Sequence, residues 1–374
     1  MLRFIFAFIV FIHGLIHLMG FAKELKLAQV TGLTGKTLVP LTDGLAKGIG
    51  LLWLVTCLLF LFSVLSFLLK KDWWWMPGAL AVALSQILIV IYWHDAKFGT
   101  IANIIVLVAI ILSYATWSFN GMVKNELKTF SSAAKIHRKI VSEEMVSGLP
   151  NVVKKWLKQS NVMGKEMTQT VHLWQTGELK TSPEGKWLPV NAEQYFTVEQ
   201  PGFIWIADVK AAPFIHVAGR DKYQDGKGRM LIKMLSLFTV ADGKGKETDQ
   251  GTLLRYLSEI ALFPSAALSN YIEWEEIDPT TARATMHYGE ITASGIFSFS
   301  AEGDMMSFEA QRYYNRKEGA TLETWLIKAY EYKEFEGVRI PSGLTVTWKL
   351  KTGDFEWFRL KIVEMKYNEL LKHR

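Results

Sequence analysis

His13 and His17 stand four residues apart inside an apolar run, so on a helix they share one face. His94 and Asp95 close a later apolar run, and Asn103 falls in the first turn of the next. Two histidines at this spacing, with a third histidine and an aspartate, carry the donor types for a metal ion. The same groups suit a proton relay, or contact with a haem or quinone. They also suit a hydrogen-bonded cluster between helices, which gives helix bundles their specificity. No acid lies between the two histidines, as it does in the His-Glu-x-x-His motif of metalloproteases. The cofactor expected first from these residues is a metal ion at His13, His17, His94 and Asp95.

The elements that carry these groups are apolar and long. Residues 4–22, 49–69, 73–93 and 99–119 each approach the ~20 residues needed to cross a bilayer. Trp73, Trp74, Trp75, Tyr92, Trp93 and Trp117 stand near the segment ends, where amphipathic rings favour the interface. The first run lacks a small-residue cleavage pattern and leads into a charged loop, so it reads as retained rather than as a signal peptide. Of 42 Lys and Arg and 36 Asp and Glu, only eight and four precede residue 121. Four spans put both termini on one side. The basic residues near the helix ends number seven there and five opposite, which places the termini in the cytoplasm. The expected location is the plasma membrane, with lipids as partners.

The rest of the chain is charge-rich and near neutral. Its net charge of +6 is spread out and forms no nucleic-acid stripe. One cysteine, Cys57, excludes an internal disulfide. Residues 122–146 repeat Val123, Leu127, Phe130, Ala134, Val141 and Met145 at helical spacing, beside five Lys and Arg. This predicts an amphipathic linker helix over 121–148, either on anionic headgroups or as a solvated spacer. A short helix is expected over Leu149–Gln159.

Beyond it, alternation of period two marks strands at Gly202–Lys210, Thr345–Lys351 and Trp357–Glu364. Two near copies, Asp225-Gly226-Lys227-Gly228 and Asp242-Gly243-Lys244-Gly245, read as turns around one strand, Met230–Val240. They lack the spacing of a phosphate loop. Thr252–Leu262 reads as an amphipathic helix closed by Phe263-Pro264, with Arg255 and Glu259 as an i, i+4 ion pair. About ten strands and an embedded helix predict an α+β domain over 149–374, a curved antiparallel sheet around a helix.

Arg220, Asp221, Tyr223, Arg255, Tyr256 and Glu259 are the polar residues that such a sheet could bring together. No nucleophile elbow or paired-carboxylate motif accompanies them, so catalysis is the weaker reading. With Trp205 and Trp274, Arg220, Asp221, Tyr223, Arg255 and Glu259 are the candidate contacts for a lipid or other hydrophobic ligand.

Gly219-Arg220-Asp221-Lys222-Tyr223, Arg255-Tyr256-Leu257-Ser258-Glu259, Phe263-Pro264-Ser265-Ala266 and Val338-Arg339-Ile340-Pro341 resemble an uncharacterised family of bacterial proteins, a domain of unknown function. Trp187, Tyr195, Phe196, Trp205 and Trp274 fit the same likeness, which covers about residues 149–368. The runs 13–21 and 95–100 look like the membrane module of some members. The family transfers no catalytic residue. More loosely, the layout is similar to the half-barrel of bacterial lipoprotein carriers of the Lol type, which implies lipid handling at the bilayer surface. Anchorage through four helices departs from a shuttling carrier.

Overall fold

The computed structural model describes residues 1–30, 33–132, 137–316 and 319–369. The chain divides into two compact units, Met1–Gly121 and Met122–Arg374.

The N-terminal unit is helical: α1 (Leu2–Glu24), α2 (Asp43–Leu68), α3 (Trp75–Ile91), the single turn α4 (Trp93–Ala96) and the start of α5 (Gly99–Ser132). Three of these, α1, α2 and α5, are long and apolar enough to cross a membrane. Of the four expected spans, the third is shorter than its hydropathy suggests. α3 has 17 residues, or about 25 Å of helix. It stops where Tyr92 leaves helical geometry at φ −103° and ψ 37°. Glycines set the approach of α1 to α2. A Cβ on Gly14 would sit 2.8 Å from the Phe60 Cβ, and one on Gly20 would sit 2.6 Å from the Trp53 ring. Small residues at such contacts let apolar helices pack closely where water provides no driving force.

α5 differs from the sequence reading. It continues unbroken for 34 residues to Ser132, with no separate helix starting near residue 122. Val123, Leu127 and Phe130 are buried. Phe130 meets the start of a strand at Gly202, and Glu126 pairs with Arg220. The apolar stripe therefore covers a sheet and is not left for headgroups. Part of the expected linker, 133–136, lies outside the described residues.

The C-terminal unit has one sheet of thirteen antiparallel strands, in the order β6-β5-β4-β3-β2-β1-β13-β12-β11-β10-β9-β8-β7. These are β1 (Thr170–Leu179), β2 (Leu188–Thr197), β3 (Gly202–Ala212), β4 (Ile215–Gln224), β5 (Lys227–Met234), β6 (Phe238–Lys244), β7 (Ile272–Asp278), β8 (Thr281–Tyr288), β9 (Ile291–Phe299), β10 (Met305–Arg316), β11 (Gly319–Phe335), β12 (Val338–Leu350) and β13 (Gly353–Tyr367). The helix α8 (Lys246–Glu259) follows β6 and leads through two 3-10 turns to β7, so it joins the two edges of the sheet. A connection between opposite edges must cross a face. α8 does so, touching β4, β5 and β6 on one flank and β8, β9 and β10 on the other. The sheet curves round it as a half-barrel. Bulges at Val363 in β13, Tyr330 in β11 and Ser342 in β12 supply local bends.

Two expectations change in detail. Met230–Val240 is two strands, because Leu235 and Ser236 take positive φ and turn the chain between β5 and β6. The second Asp-Gly-Lys-Gly copy then falls at the end of β6, not in a hairpin turn. The helix read as Thr252–Leu262 begins at Lys246 and gives way to a 3-10 turn at Ile260. After the single turn α6 (Glu143–Val146), α7 (Asn151–Gln159) closes one end of the unit, with Trp156 fully buried against Trp274, Phe297 and Phe299.

Candidate functional site

The histidine group is built by three helices. α1 presents His13 and His17 on one face, α3 brings Ser85 and Gln86, and α5 brings Asn103. His17 Nδ1 lies 2.8 Å from the His13 carbonyl oxygen, and its Nε2 lies 2.9 Å from Ser85 Oγ. A carbonyl only accepts, so Nδ1 carries the proton. Nε2 of the neutral ring then accepts from the Ser85 hydroxyl. That spends Ser85's one proton, and its oxygen accepts from Asn103 Nδ2 at 3.0 Å. The 3.1 Å approach of Ser85 Oγ to Asn103 Oδ1 is thereby a contact without a proton. Asn103 Oδ1 accepts instead from His13 Nε2 at 2.9 Å. Asn103 Nδ2 also reaches Gln86 Oε1, and Gln86 Nε2 reaches Thr100 Oγ1. His13, His17, Ser85 and Asn103 are all buried.

The network fixes both imidazole tautomers and explains why so many polar groups are tolerated there. It does not gather a metal site. His94 and Asp95 belong to a different cluster, with Thr34 Oγ1 and the Gly35 N–H donating to the Asp95 carboxylate at 2.8 Å each. Among the described residues, no group of three or more His, Cys, Asp and Glu is placed to hold a metal ion. The expected metal site therefore resolves into two hydrogen-bonded clusters. A proton relay also fits poorly, because an amide such as Asn103 cannot pass a proton on without tautomerising. Burial alone would raise the Asp95 carboxyl. The hydrogen bonds from Gly35, Thr34 and His94 outweigh it and hold the group at about 2.

Beside the network lies a cavity of about 380 Å³, within the ~300–1,000 Å³ usual for small-molecule sites. Ile16, Met19, Ile89, Phe98 and Ala102 make its apolar wall; His13, His17, Trp53 and Tyr92 bring polar atoms to it. Trp53 is 7% exposed and Tyr92 5%. Among the described residues, the Trp53 Nε1–H and the Tyr92 hydroxyl have no hydrogen-bond partner. Glu24 is near enough to Tyr92 to influence it, but not at hydrogen-bond geometry. Lys23, which also lines the cavity, donates to the Leu33 carbonyl at 2.8 Å and sits 4.0 Å from Asp95. Sequence reasoning reached His13, His17 and Asn103 but missed Trp53, Tyr92 and Ser85. A serine and a glutamine side by side in an apolar run were the available signal.

The residues expected to meet in the sheet divide between its two faces. Asp221, Tyr223, Trp205, Arg255 and Glu259 belong to the concave side. Arg255 donates to Asp221 at 2.8 Å and to Glu259 at 3.0 Å, and its guanidinium lies over Phe203 and Trp205. Gln194 donates to Glu259 at 2.9 Å. Burial pushes the Asp221 and Glu259 carboxyls up, and Arg255 pulls them back. Arg312, which the sequence did not single out, lies over Trp325 at 4.4 Å. Burial, reinforced by the charge of Arg255, lowers it to about 10. Arg220 faces the other way. It is fully buried under α5, with Nε 3.1 Å from Glu126 at an angle that makes an ion pair but no hydrogen bond. Trp274 is remote from both groups and donates to the Ala267 carbonyl. Burial raises the Tyr223 hydroxyl above its ordinary range.

α8 packs against the concave face beside the ions, whose side chains keep 13–20% exposure. Leu253, Leu254, Tyr256, Leu257 and Ile260 on and after α8 have no exposed surface. They pack against Phe196, Phe203, Phe297, Phe308 and other strand residues in one continuous core.

Residues 139–360 match the model of a family of unknown function, DUF6544. The chain belongs to this family. No curated protein matches it. Among solved structures it is similar to a LolA-superfamily protein from Nitrosomonas europaea, at 9% identity and TM-score 0.35, over 59% of this chain and 93% of the other. It is similar to a domain named for outer membrane lipoprotein sorting from Vibrio parahaemolyticus, at 11% identity and TM-score 0.35, again over 59% and 93%. A DUF1329-family protein from Desulfovibrio piger follows, at 8% identity and TM-score 0.33, over 58% and 92%.

Proposed function

We propose that this DUF6544 member is a multi-pass membrane protein that binds a neutral lipophilic molecule in the cavity of its N-terminal unit. Four apolar helices cross the bilayer, α3 as a short span, and the basic residues favour cytoplasmic termini. A reporter fused at Arg374 tests that sidedness, and an external signal refutes it. The single observation that carries the binding reading is the pair of buried donors without acceptors, Trp53 Nε1–H and Tyr92 O–H, on the wall of an apolar cavity. An unmet buried donor costs about 1–3 kcal/mol, so a ligand oxygen that accepts from either is favoured. The charged groups at the cavity are one cation, Lys23, and two carboxylates, Glu24 and Asp95. That balance disfavours a carboxylate or phosphate head and favours a carbonyl or ether.

The test is extraction and mass spectrometry of the full chain purified in mild detergent. A lipophile should be retained in stoichiometric amount and lost in Ala102→Phe, which fills the cavity. Equal retention by both proteins contradicts the reading. A second site for a hydrophobic ligand, on the sheet, has one observation in its favour: Trp205 and Trp325 also hold buried indole N–H groups without partners. Loss of the lipophile in Trp325→Phe, with Ala102→Phe unaffected, would select it.

A further inference from the structure

Antiparallel order places alternate turns of the sheet on opposite rims. On one rim lie the turns β2–β3, β4–β5, β9–β10 and β11–β12. They carry Glu199, Asp225, Glu302, Asp304 and Glu336, and no Lys or Arg. On the other rim, four turns of neighbouring strands lie side by side: β5–β6, β3–β4, β1–β2 and β12–β13. Lys180, Lys186 and Lys351 stand in these turns against Glu184; just inside, Lys210, Lys233 and Lys349 stand with Glu178 and Asp354, Asp354 being paired with Lys349. Asp208, also near this rim, is held by His216 at 3.1 Å. The next acid on this side in a described turn is Glu290, beyond β10.

This rim also exposes a cluster of large apolar side chains. Phe214 is 73% exposed, Phe238 56% and Val240 63%, with Ile215 and Met234 beside them. The register pairs Met234 with Phe238 and Val217 with Met234, so the tips of two hairpins form one patch. Phe214 sits at its turn with φ +66°, a conformation that a bulky residue adopts at a cost of ~1 kcal/mol or more. Lys180 and Arg359 lie over Trp187 a little further along. Single exposed apolar residues are ordinary; a contiguous apolar tip ringed by lysines is not.

We propose that this rim docks on an anionic bilayer surface, with Phe214 and Phe238 in the acyl boundary and the lysines on headgroup phosphates. Aromatic side chains favour that depth. Each lysine near an anionic surface adds on the order of 1 kcal/mol. Within the unit, the 122–132 stretch of α5 runs from the basic side towards the acidic one. Glu126 pairs with Arg220 in mid-strand, and Phe130 reaches Gly202 where β3 starts on the acidic rim. The chain therefore enters this unit from the side of the lysines.

The test uses the full chain in nanodiscs of equal parts phosphatidylcholine and phosphatidylglycerol, with Cys57→Ala as background. An environment-sensitive fluorophore is placed at Phe214→Cys, Phe238→Cys or Glu302→Cys. Lipids brominated on the tails should quench the first two and leave the third bright. Phosphatidylcholine alone, or Lys180→Gln with Lys186→Gln and Lys351→Gln, should weaken the quenching at 214 and 238. Unquenched probes at 214 and 238 overturn the proposal. So does protection from aqueous iodide without bromine quenching, which assigns the patch to a protein partner. Quenching indifferent to lipid charge and to the lysines overturns the electrostatic part. Hydrogen exchange on the unlabelled chain guards against effects of the label: the 214 and 235–237 amides should slow on the anionic discs relative to neutral ones.

Discussion

The two units handle buried polarity in opposite ways. In the N-terminal unit His13, His17, Ser85 and Asn103 satisfy one another through neutral hydrogen bonds, while the adjoining cavity leaves Trp53 and Tyr92 with donors unmet. In the C-terminal unit the buried groups are ions. Arg255 is matched to Asp221 and Glu259, and the three keep 13–20% exposure beside the core that α8 makes. An apolar helical unit has no water to compensate charge, so neutral networks are the affordable form of polarity. A β unit with a thick core accommodates ions if each is paired. The contrast teaches that a dense polar cluster is not by itself a site. What marks the N-terminal cluster is the empty volume and the unmet donors beside it.

Four changes probe that contrast. The largest effect is expected from Arg255→Met, which leaves two carboxylates buried without their cation and should cost about 3–5 kcal/mol. Thermal unfolding followed by near-ultraviolet dichroism of the C-terminal signal measures it. The defect depends on pH with a definite sign. Burial raises both carboxyls in the folded state. Their contribution is therefore present at low pH and lost as pH rises through the folded values. Removing Arg255 moves that window upward, so the variant should lie nearest the parent in acid and furthest from it at neutral pH. A uniform deficit would show that the ions are not the cause.

Gly177→Ala comes next. A Cβ there would lie 2.1 Å from the Arg359 carbonyl on the neighbouring strand. An overpacked strand pair costs about 1–3 kcal/mol, read as an earlier unfolding midpoint. Asn103→Leu removes the acceptor of His13 and the donor to Ser85. It should cost about 1 kcal/mol, the scale of polar contacts between apolar helices, and broaden the imidazole signals of both histidines. Unchanged imidazole spectra would sink the network. The smallest effect is at Asp95. Its folded value, about 2, lies below the ordinary 3.8, so its contribution is present above that range and fades as pH falls towards 2. Exchange of the Gly35 amide should quicken over that interval in the parent and be fast throughout in Asp95→Asn.

The helical unit was legible because long apolar runs leave few alternatives, and the alternation of Phe203, Trp205 and Ala207 marked β3 in the same way. What failed had physical reasons. Hydropathy does not see the break at Tyr92, which trims α3 to 17 residues. The stripe Val123, Leu127, Phe130 has the right period for a membrane surface and for a sheet, and only the fold decides between them. His94 groups with His17 by donor type alone. Its partners are Asp95 and Thr34, in a loop that no periodicity announces. Asp221 and Arg220 are adjacent in sequence, and for that very reason the pleat sends them to opposite faces. Arg312 joins the ionic group from a strand nearly a hundred residues away, beyond any local signal.

Photolabelling tests the central claim most directly. The full chain in nanodiscs is loaded with a diazirine-bearing neutral lipophile that carries a ketone head, irradiated and mapped by peptide. Adducts should concentrate on α1 between His13 and Glu24 and around Ile89 and Ala102. An excess of unlabelled ketone lipophile should compete with them, whereas an equal excess of fatty acid should not. Adducts confined to the concave strands and α8, or spread over the lipid-facing surface without competition, would contradict a ligand site in the N-terminal cavity.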